Sequence, residues 1–398
     1  MTDRILTTHT GSLIRPAEVL ELGEHRDGAD AEAVLAAAVA DAVRRQAEAG
    51  IDIVDDGEMG KSSWITYLYE RLSGIEPRMV PLEGISILPP SRDRQAFPEF
   101  YAELDVEFAR AARSRVQVSE GSDADAPTAV GKLWFCTGPI EYDPSALQRD
   151  VARLRAALAN VEIVDAFLPV VAPASVYWLR NEYYASEEEL VFAVADALHE
   201  EYAAIVDAGF LLQVDDAVLM HEYDSILSEG GSVDDYRKWA TLRVEALNHA
   251  LRGIPAEQIR YHVCFGSWHG PHMYDPPLAD VIDLILAVNA RYYLIEQANP
   301  RHEHEWRLWE QVALPEDKVL VPGVVTHHTN IVEHPDLVAD RLVRLAELVG
   351  RERVMAGTDC GFAQSAGVRR VHPSIQWAKL TALAEGARLA TSRLWRAS

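Results

Sequence analysis

The sequence predicts an α/β protein, a single (β/α)8 barrel of the TIM type with loop insertions at the C-terminal face of its sheet. Three observations carry this. Short β-type runs alternate with long amphipathic helical stretches from one end of the chain to the other, which is the pattern of a parallel sheet with helices outside. The 398 residues are 48% hydrophobic, enough for a large core and far from a disordered composition. No composition shift marks a boundary, so residues 1–398 read as one domain. A doubly wound open sheet would announce itself with a Gly-rich phosphate loop, and none is present.

The candidate strands, in order, are Ile5–Thr10, Ile51–Asp55, Lys132–Cys136, Leu168–Ala172, Leu211–Asp215, Arg260–Cys264, Tyr292–Glu296, Val319–Val324 and Val354–Thr358. Nine candidates compete for eight places, and Leu168–Ala172 is the one with the weakest support. Helical patterns run over Ala31–Gly50, Glu187–Gly209, Asp235–Arg252 and His334–Gly350. Gly50, Gly209 and Gly350 stand where helices stop immediately before strands. The Pro- or Asp/Ser-rich stretches Leu88–Pro98 and Ser119–Pro127 read as loops decorating the barrel.

Charge narrows the partners. With 37 Lys+Arg against 62 Asp+Glu, the formal net charge of −25 repels nucleic acid and anionic membrane surfaces. A polyanionic substrate tail would need a local exception to that field. No run of about eighteen apolar residues occurs, so no membrane span is expected. The start, MTDRILTTHTGSL, lacks the apolar stretch of a secretory signal, which predicts a cytoplasmic protein. A homo-oligomer is left open. Three cysteines, at positions 136, 264 and 360, make no disulfide framework. In a reducing compartment such residues more often serve as metal ligands or nucleophiles.

The segment Tyr261-His262-Val263-Cys264-Phe265-Gly266 is the most informative. Residues i and i+2 of a strand project to one side, so His262 and Cys264 would point together. A packed imidazole beside a buried thiol would look the same in sequence. The other candidates change the balance: Glu296 ends one strand and Cys360 follows another. In a parallel barrel all strand C-termini open on one face. One imidazole, two thiolates and one carboxylate there form a tetrahedral set suited to Zn²⁺. Cys136 has no partner at ligand spacing and reads as a buried small hydrophobe. His269, His272, His302 and His304 thicken the histidine density nearby. Ordering of loops and support of the ligands explain them more simply than a second metal does.

These residues also carry a resemblance. His262-x-Cys264, Glu296 and Asp359-Cys360-Gly361 resemble the zinc site of the cobalamin-independent methionine synthases. Gly11-Ser12, Asp55-Asp56-Gly57-Glu58, Thr137-Gly138-Pro139 and Gln213-Val214-Asp215-Asp216 are similar to that family's other strand-end motifs, in the same order. The resemblance spans essentially the whole chain as one catalytic barrel, without the second, N-terminal barrel of the long enzymes. The stretch EQANPRHEHEW from Glu296 and Glu333-His334-Pro335 resemble the short branch, which includes bacterial epoxyalkane:coenzyme M transferases.

The resemblance implies zinc held by His262, Cys264, Glu296 and Cys360, and activation of a substrate thiol there. A free thiol has a pKa of about 8.5, and coordination deprotonates it near neutral pH. It further implies that Glu58 and Asp215 hold the amino group of homocysteine, and that Gly11 and Ser12 sit on a loop contacting the same substrate through its backbone. His327 or His328 would handle a proton on the donor or leaving group.

Two departures touch the substrate side. Ala217-Val218-Leu219 follows the acidic pair where the long enzymes have a proline, and Gly361-Phe362-Ala363-Gln364 lacks their basic residues. A folate polyglutamate tail would have Arg15, Lys61 and Arg180 as its nearest cations.

The leading expectation is therefore zinc-dependent methyl transfer to a small thiol, homocysteine, from a methyltetrahydrofolate-type or other small donor. The first alternative is a thiolate that opens an epoxide, with coenzyme M as the thiol. The second is a zinc-binding barrel without catalysis. A metal-free lyase like the porphyrinogen decarboxylases conflicts with the complete ligand set.

Overall fold

The computed structural model describes residues 3–23, 26, 28–81, 90–115, 130–267 and 269–395. Its strands are β1 (Ile53–Val54), β2 (Ile75–Pro81), β3 (Val130–Cys136), β4 (Asp165–Val171), β5 (Leu179–Asn181), β6 (Leu211–Asp215), β7 (Ile259–Val263), β8 (Tyr292–Ile295), β9 (Val319–Val325) and β10 (Gly357–Thr358). Seven of them form a parallel sheet in the order β1-β4-β6-β7-β8-β9-β10. The eighth stave is the segment predicted as Ile5–Thr10. It contributes parallel bridges from Thr7 to Ala356 and from Thr8 to Ile53, and so joins the two ends of the sheet into a barrel. Backbone hydrogen bonds from Thr8 N to Ala356 O (2.9 Å) and from Ile53 N to Thr7 O (3.1 Å) fix this closure.

The nine-for-eight conflict resolves against expectation. Leu168–Ala172 falls on β4, a central barrel strand, whereas Lys132–Cys136 falls on β3, which lies outside the barrel. β3 pairs antiparallel with β2 and parallel with β5 in a separate three-stranded sheet. That sheet is built from the connections that leave the C-terminal ends of β1 and β4, so it decorates the face on which sites are made. The stretch read as a loop at Leu88–Pro98 contains a short helix, Arg92–Ala96, capped by Ser91, and Pro98 opens the next helix, Pro98–Arg115. Ser91 accepts from Arg94 N, and Pro98 at a helix start costs no hydrogen bond. Ser119–Pro127 and Leu88–Pro89 lie outside the described residues.

The helices fall where the periodicity puts them, at Ala29–Glu48, Glu187–Asp207, Val233–Ala250 and Pro335–Val349. Gly50, Gly209 and Gly350 all have positive φ at the stops. Strand parity then sorts the core into two clusters. Leu212, Val214, Tyr261, Val263, Tyr293 and Ile295 pack outward against the helices in the large cluster. Leu211, Phe167, Leu294, Val319, Val321, Ile53 and Met355 form a second cluster that fills the barrel's lower interior. Alternation carries each inward row upward toward the C-terminal face, from Leu211 to Gln213 to Asp215, from Arg260 to His262 to Cys264, and from Leu294 to Glu296. The buried Arg260 lies 3.7 Å over the Phe167 ring and donates to His9 O at 2.9 Å.

Candidate active site at the barrel mouth

β7 ends at Val263, so His262 and Cys264 project to one side at the top of the barrel, and both are buried. Cys360, just past β10, meets them from across the barrel mouth. The Cys264 and Cys360 sulfurs are 3.7 Å apart. The ligand atoms of His262, Cys264 and Cys360 all lie within 4.8 Å of one another, in a set that could hold a metal ion. Both ring nitrogens of His262 are buried without a hydrogen-bond partner among the described residues. Such orphaned nitrogens are costly unless something binds there. Removed from water, the two thiols share a proton unequally. Contact with Cys264 holds the Cys360 thiol well below the ordinary thiol range, while contact with Cys360 and burial push Cys264 well above it. Ser267 Oγ donates to the Cys360 sulfur at 3.1 Å. Two soft sulfurs and an imidazole in this arrangement suit zinc rather than magnesium or calcium.

Glu296 stands next to this group but belongs by its distances to a second one. Its carboxylate closes with His327 and His328, ligand atoms again within 4.8 Å, and His328 Nδ1 is 4.0 Å from Oε1. Phe265 N donates to Oε2 at 3.0 Å and Asn299 Nδ2 to Oε1 at 2.7 Å. Burial, then Asp359 and Cys360, push the Glu296 carboxyl well up. A cation shared with the sulfurs would reverse that. Of the expected set, His262, Cys264 and Cys360 thus meet at ligand distance, whereas Glu296 closes with His327 and His328 in a second group. Burial lowers both His327 and His328, the latter to about 3, so neither imidazole carries charge at neutral pH.

The acidic edge is built by a strained turn. In Asp55-Asp56-Gly57-Glu58, Gly57 N donates to Asp55 Oδ1 (2.9 Å) and Glu58 N to Asp56 Oδ1 (2.8 Å). Gly57 and Glu58 both take positive φ, 66° and 56°. For glutamate that backbone is unfavourable by about 1–3 kcal/mol and needs support from its surroundings. Glu58 Oε2 is buried and unbonded, 3.9 Å from Arg15 and 3.8 Å from Lys61. A Cβ placed on Gly11 (φ +122°) would lie 3.2 Å from Asp55, Glu58 and Pro169, so the loop passes tightly over these carboxylates. Ser12 closes the ring: its carbonyl accepts from Phe362 N at 2.8 Å, and a Cβ on Gly361 would be 1.9 Å from its hydroxyl oxygen. Asp215, at the end of β6, accepts from Gln213 Nε2 at 2.9 Å. Burial raises its carboxyl to about 7, with His262 opposing and Glu58 adding to the rise.

The remaining expectations separate. Arg15 and Lys61 are spent locally, on backbone carbonyls and beside Glu58, and Arg180 is exposed on β5. Cys136 is fully buried, remote from the other thiols in the fold, and points its thiol at Gly138 O. His302 orders a loop as expected. It bridges Asp275 (3.0 Å) and Glu305 (2.8 Å) and stacks on Phe265 at 3.4 Å, directly behind the residue whose N–H holds Glu296. His304 is exposed. Sequence reasoning missed Asp359 as a brace: its Oδ1 accepts from Gln297 N (2.9 Å) and Ala298 N (2.7 Å), which fixes the turn that carries Glu296.

Residues 172–382, more than half of the chain, match the cobalamin-independent synthase catalytic-domain family. The chain belongs to this family. The match spans β6 to β10 and every residue of the sulfur and histidine groups. Among relatives, a methionine synthase of Thermococcus kodakarensis is 25% identical over 352 residues, 88% of this chain and 82% of the relative. One of Saccharolobus solfataricus is 24% identical over 98% of this chain and 96% of its own length. Two solved structures share the fold. A B12-independent methionine synthase from Shewanella sp. W3-18-1, in complex with selenomethionine, superposes with a TM-score of 0.71 at 20% identity, covering 98% and 99% of the two chains. A putative vitamin-B12-independent methionine synthase from Listeria monocytogenes gives 0.64 at 19% identity, covering 99% and 100%. Among the described residues, no helix is long and apolar enough to cross a membrane.

Proposed function

We propose that residues 1–398 act as one zinc-dependent methyltransferase barrel that methylates homocysteine to methionine, using a methyltetrahydrofolate-type or other small methyl donor. The observation that carries this reading is the convergence of His262, Cys264 and Cys360, with Glu296 beside them, at the barrel face that also presents Glu58 and Asp215. Relatives named methionine synthase that align along most of their length support the choice of reaction.

In this reading His262, Cys264, Cys360 and Glu296 hold the ion. Zinc, when bound, lowers the pKa of a substrate thiol so that it reacts as a thiolate at neutral pH. The protein's own residues do the rest. Glu58 and Asp215 bind the substrate ammonium and aim its chain across the mouth. Gly11 and Ser12 contact the same substrate through their backbone. The sulfur attacks the methyl carbon in line with the departing bond, so an S–C bond forms as the donor's bond to carbon breaks. The proton released by the thiol goes to the donor's leaving atom, with His327 or His328 as the relay between them.

The test is methionine formation from homocysteine with a panel of methyl donors, followed by mass spectrometry together with metal content. Zinc-loaded protein should produce methionine, Cys360→Ser and Cys264→Ser should lose both zinc and product, and Cys136→Ala should retain both. Turnover undiminished by chelation would contradict the reading.

A further inference from the structure

Gln213 is a buried polar residue that the reaction described above does not use. It stands on β6 between Leu211 and Asp215 in the inward row and has no contact with solvent. A carboxamide in that position is costly unless its hydrogen bonds are made. Two of them are. Gln213 Nε2 donates to Thr10 O on the first stave and to Asp215 Oδ1 at 2.9 Å. A carbonyl and a carboxylate only accept, so the NH2 end of the amide lies between them with both N–H bonds engaged. The other end, Oε1, is buried without a hydrogen-bond partner among the described residues. What the side chain contributes is therefore its two donors.

The two partners depend on Gln213 to different degrees. The segment after Thr10 is held without it. Thr10 N donates to Thr358 Oγ1 (3.2 Å), Gly11 N to His9 Nδ1 (3.1 Å) and Leu13 N to Gly57 O (3.1 Å), and Ser12 O accepts from Phe362 N (2.8 Å). The Asp215 carboxylate accepts no other hydrogen bond from a described residue, and it is half-buried at the barrel mouth, whereas Gln213 beneath it is enclosed. We propose that Gln213 is a positioning residue for amine recognition: anchored on Thr10 O, it holds Asp215 Oδ1 and leaves Oδ2 for the ammonium group of the substrate thiol. The inference rests on the thiol-transfer reading above and adds to it the group that sets the preference for amine-bearing thiols. This role requires glutamine in a way that shape alone does not. An ionised glutamate has the same length but gives Asp215 no N–H and sets a like charge against it. Leucine fills the space and holds nothing.

The test is calorimetric binding of homocysteine and of 4-mercaptobutyrate, the same thiol acid without the amine. The proteins are zinc-loaded wild type, Gln213→Leu, Gln213→Glu, Asp215→Asn and the double variant that combines Gln213→Leu with Asp215→Asn. Gln213→Leu should weaken homocysteine by about five- to thirty-fold and leave 4-mercaptobutyrate within about two-fold. Gln213→Glu should weaken homocysteine at least as much, although it is the closer match in shape. In the Asp215→Asn background Gln213→Leu should cost less than about two-fold more, because it acts through a carboxylate already removed. Equal losses for both thiols, full additivity in the double variant, or a Gln213→Glu protein that binds homocysteine like wild type overturns the inference. Should Gln213→Leu fail to retain zinc, the comparison of the two thiols on Gln213→Glu decides alone. Wild-type protein that binds neither thiol brings down the transfer reading as a whole. Wild type that prefers homocysteine, with that preference kept in every Gln213 variant, brings down this inference only.

Discussion

At the residue scale the acidic edge of the site is the feature most open to test. Glu58 holds a positive φ of 56° in a turn whose two aspartates cap its own backbone, and its Oε2 is buried without a bond. Oε2 has no hydrogen bond and only the long ion pairs to Arg15 (3.9 Å) and Lys61 (3.8 Å), so it can still take a closer donor, and a substrate ammonium is the donor proposed above. Glu58→Gln and Asp215→Asn should each raise the KM for homocysteine by about ten- to hundred-fold, the loss of one charge-assisted hydrogen bond. Zinc content should be unchanged and KM for the donor within about two-fold. Steady-state kinetics with metal analysis checks this, and an effect confined to kcat would reassign both carboxylates. Glu58 was legible in sequence because it ends a strand motif, and Asp215 because parity puts it above Leu211 and Gln213.

At the scale of elements, the barrel's order follows from alternation, and its exceptions have physical reasons. Leu168–Ala172, the strand with the weakest support, carries Pro169, a residue poorly tolerated in a central strand. β4 accommodates it because pairing with β1 ends at Ala166, which leaves the strand one-sided at Pro169. Lys132–Cys136 is a strand as its pattern says, but sequence cannot tell which sheet a strand joins, and this one pairs with Ile75–Pro81 instead of with the barrel. The candidate metal residues were legible for the opposite reason: His262 lies near the end of β7, and Cys264, Glu296 and Cys360 sit one or two positions past β7, β8 and β10, where a parallel barrel opens. What was not legible was how β9 and β10 hold them. Gly323 faces Asp359 so closely that a Cβ would lie 2.0 Å from Oδ1 and 2.7 Å from Cα. Backbone cannot yield cheaply there, and Asp359 braces the turn carrying Glu296. Gly323→Ala should therefore destabilise the protein by about 1–3 kcal/mol and weaken zinc retention as well. Calorimetric unfolding and zinc content after dialysis would reveal both. A stability loss with full zinc retention would detach Asp359 from the metal centre.

At the scale of the whole molecule, stability is tied to pH through groups that the barrel buries. His9 is fully enclosed. Its Nδ1 accepts from Gly11 N (3.1 Å) and its Nε2–H faces Gln46 Oε1 (2.7 Å), an arrangement that only the neutral ring satisfies. Gln46 in turn bonds the Asp55 backbone at N (3.0 Å) and O (2.8 Å), so one neutral imidazole links the first stave, a helix and β1. Burial lowers the His9 pKa from 6.5 to about 4. Between those values the unfolded chain binds more protons than the folded one. The contribution of His9 is thus complete above about pH 6.5 and is lost as pH falls toward 4, by about 3 kcal/mol at most. His9→Asn keeps an acceptor for Gly11 and removes the titration. Denaturant unfolding between neutral and mildly acidic pH should fall more steeply in the wild type than in the variant, and parallel curves would refute the assignment.

In the proposed chemistry the barrel mouth activates a thiol on zinc held by Cys264 and Cys360. Zinc K-edge X-ray absorption on the purified protein, alone and with homocysteine, tests it most directly. Two sulfur neighbours should rise to three when homocysteine is added. A sulfur count that stays at two with every thiol offered would contradict it and leave the centre as a structural metal.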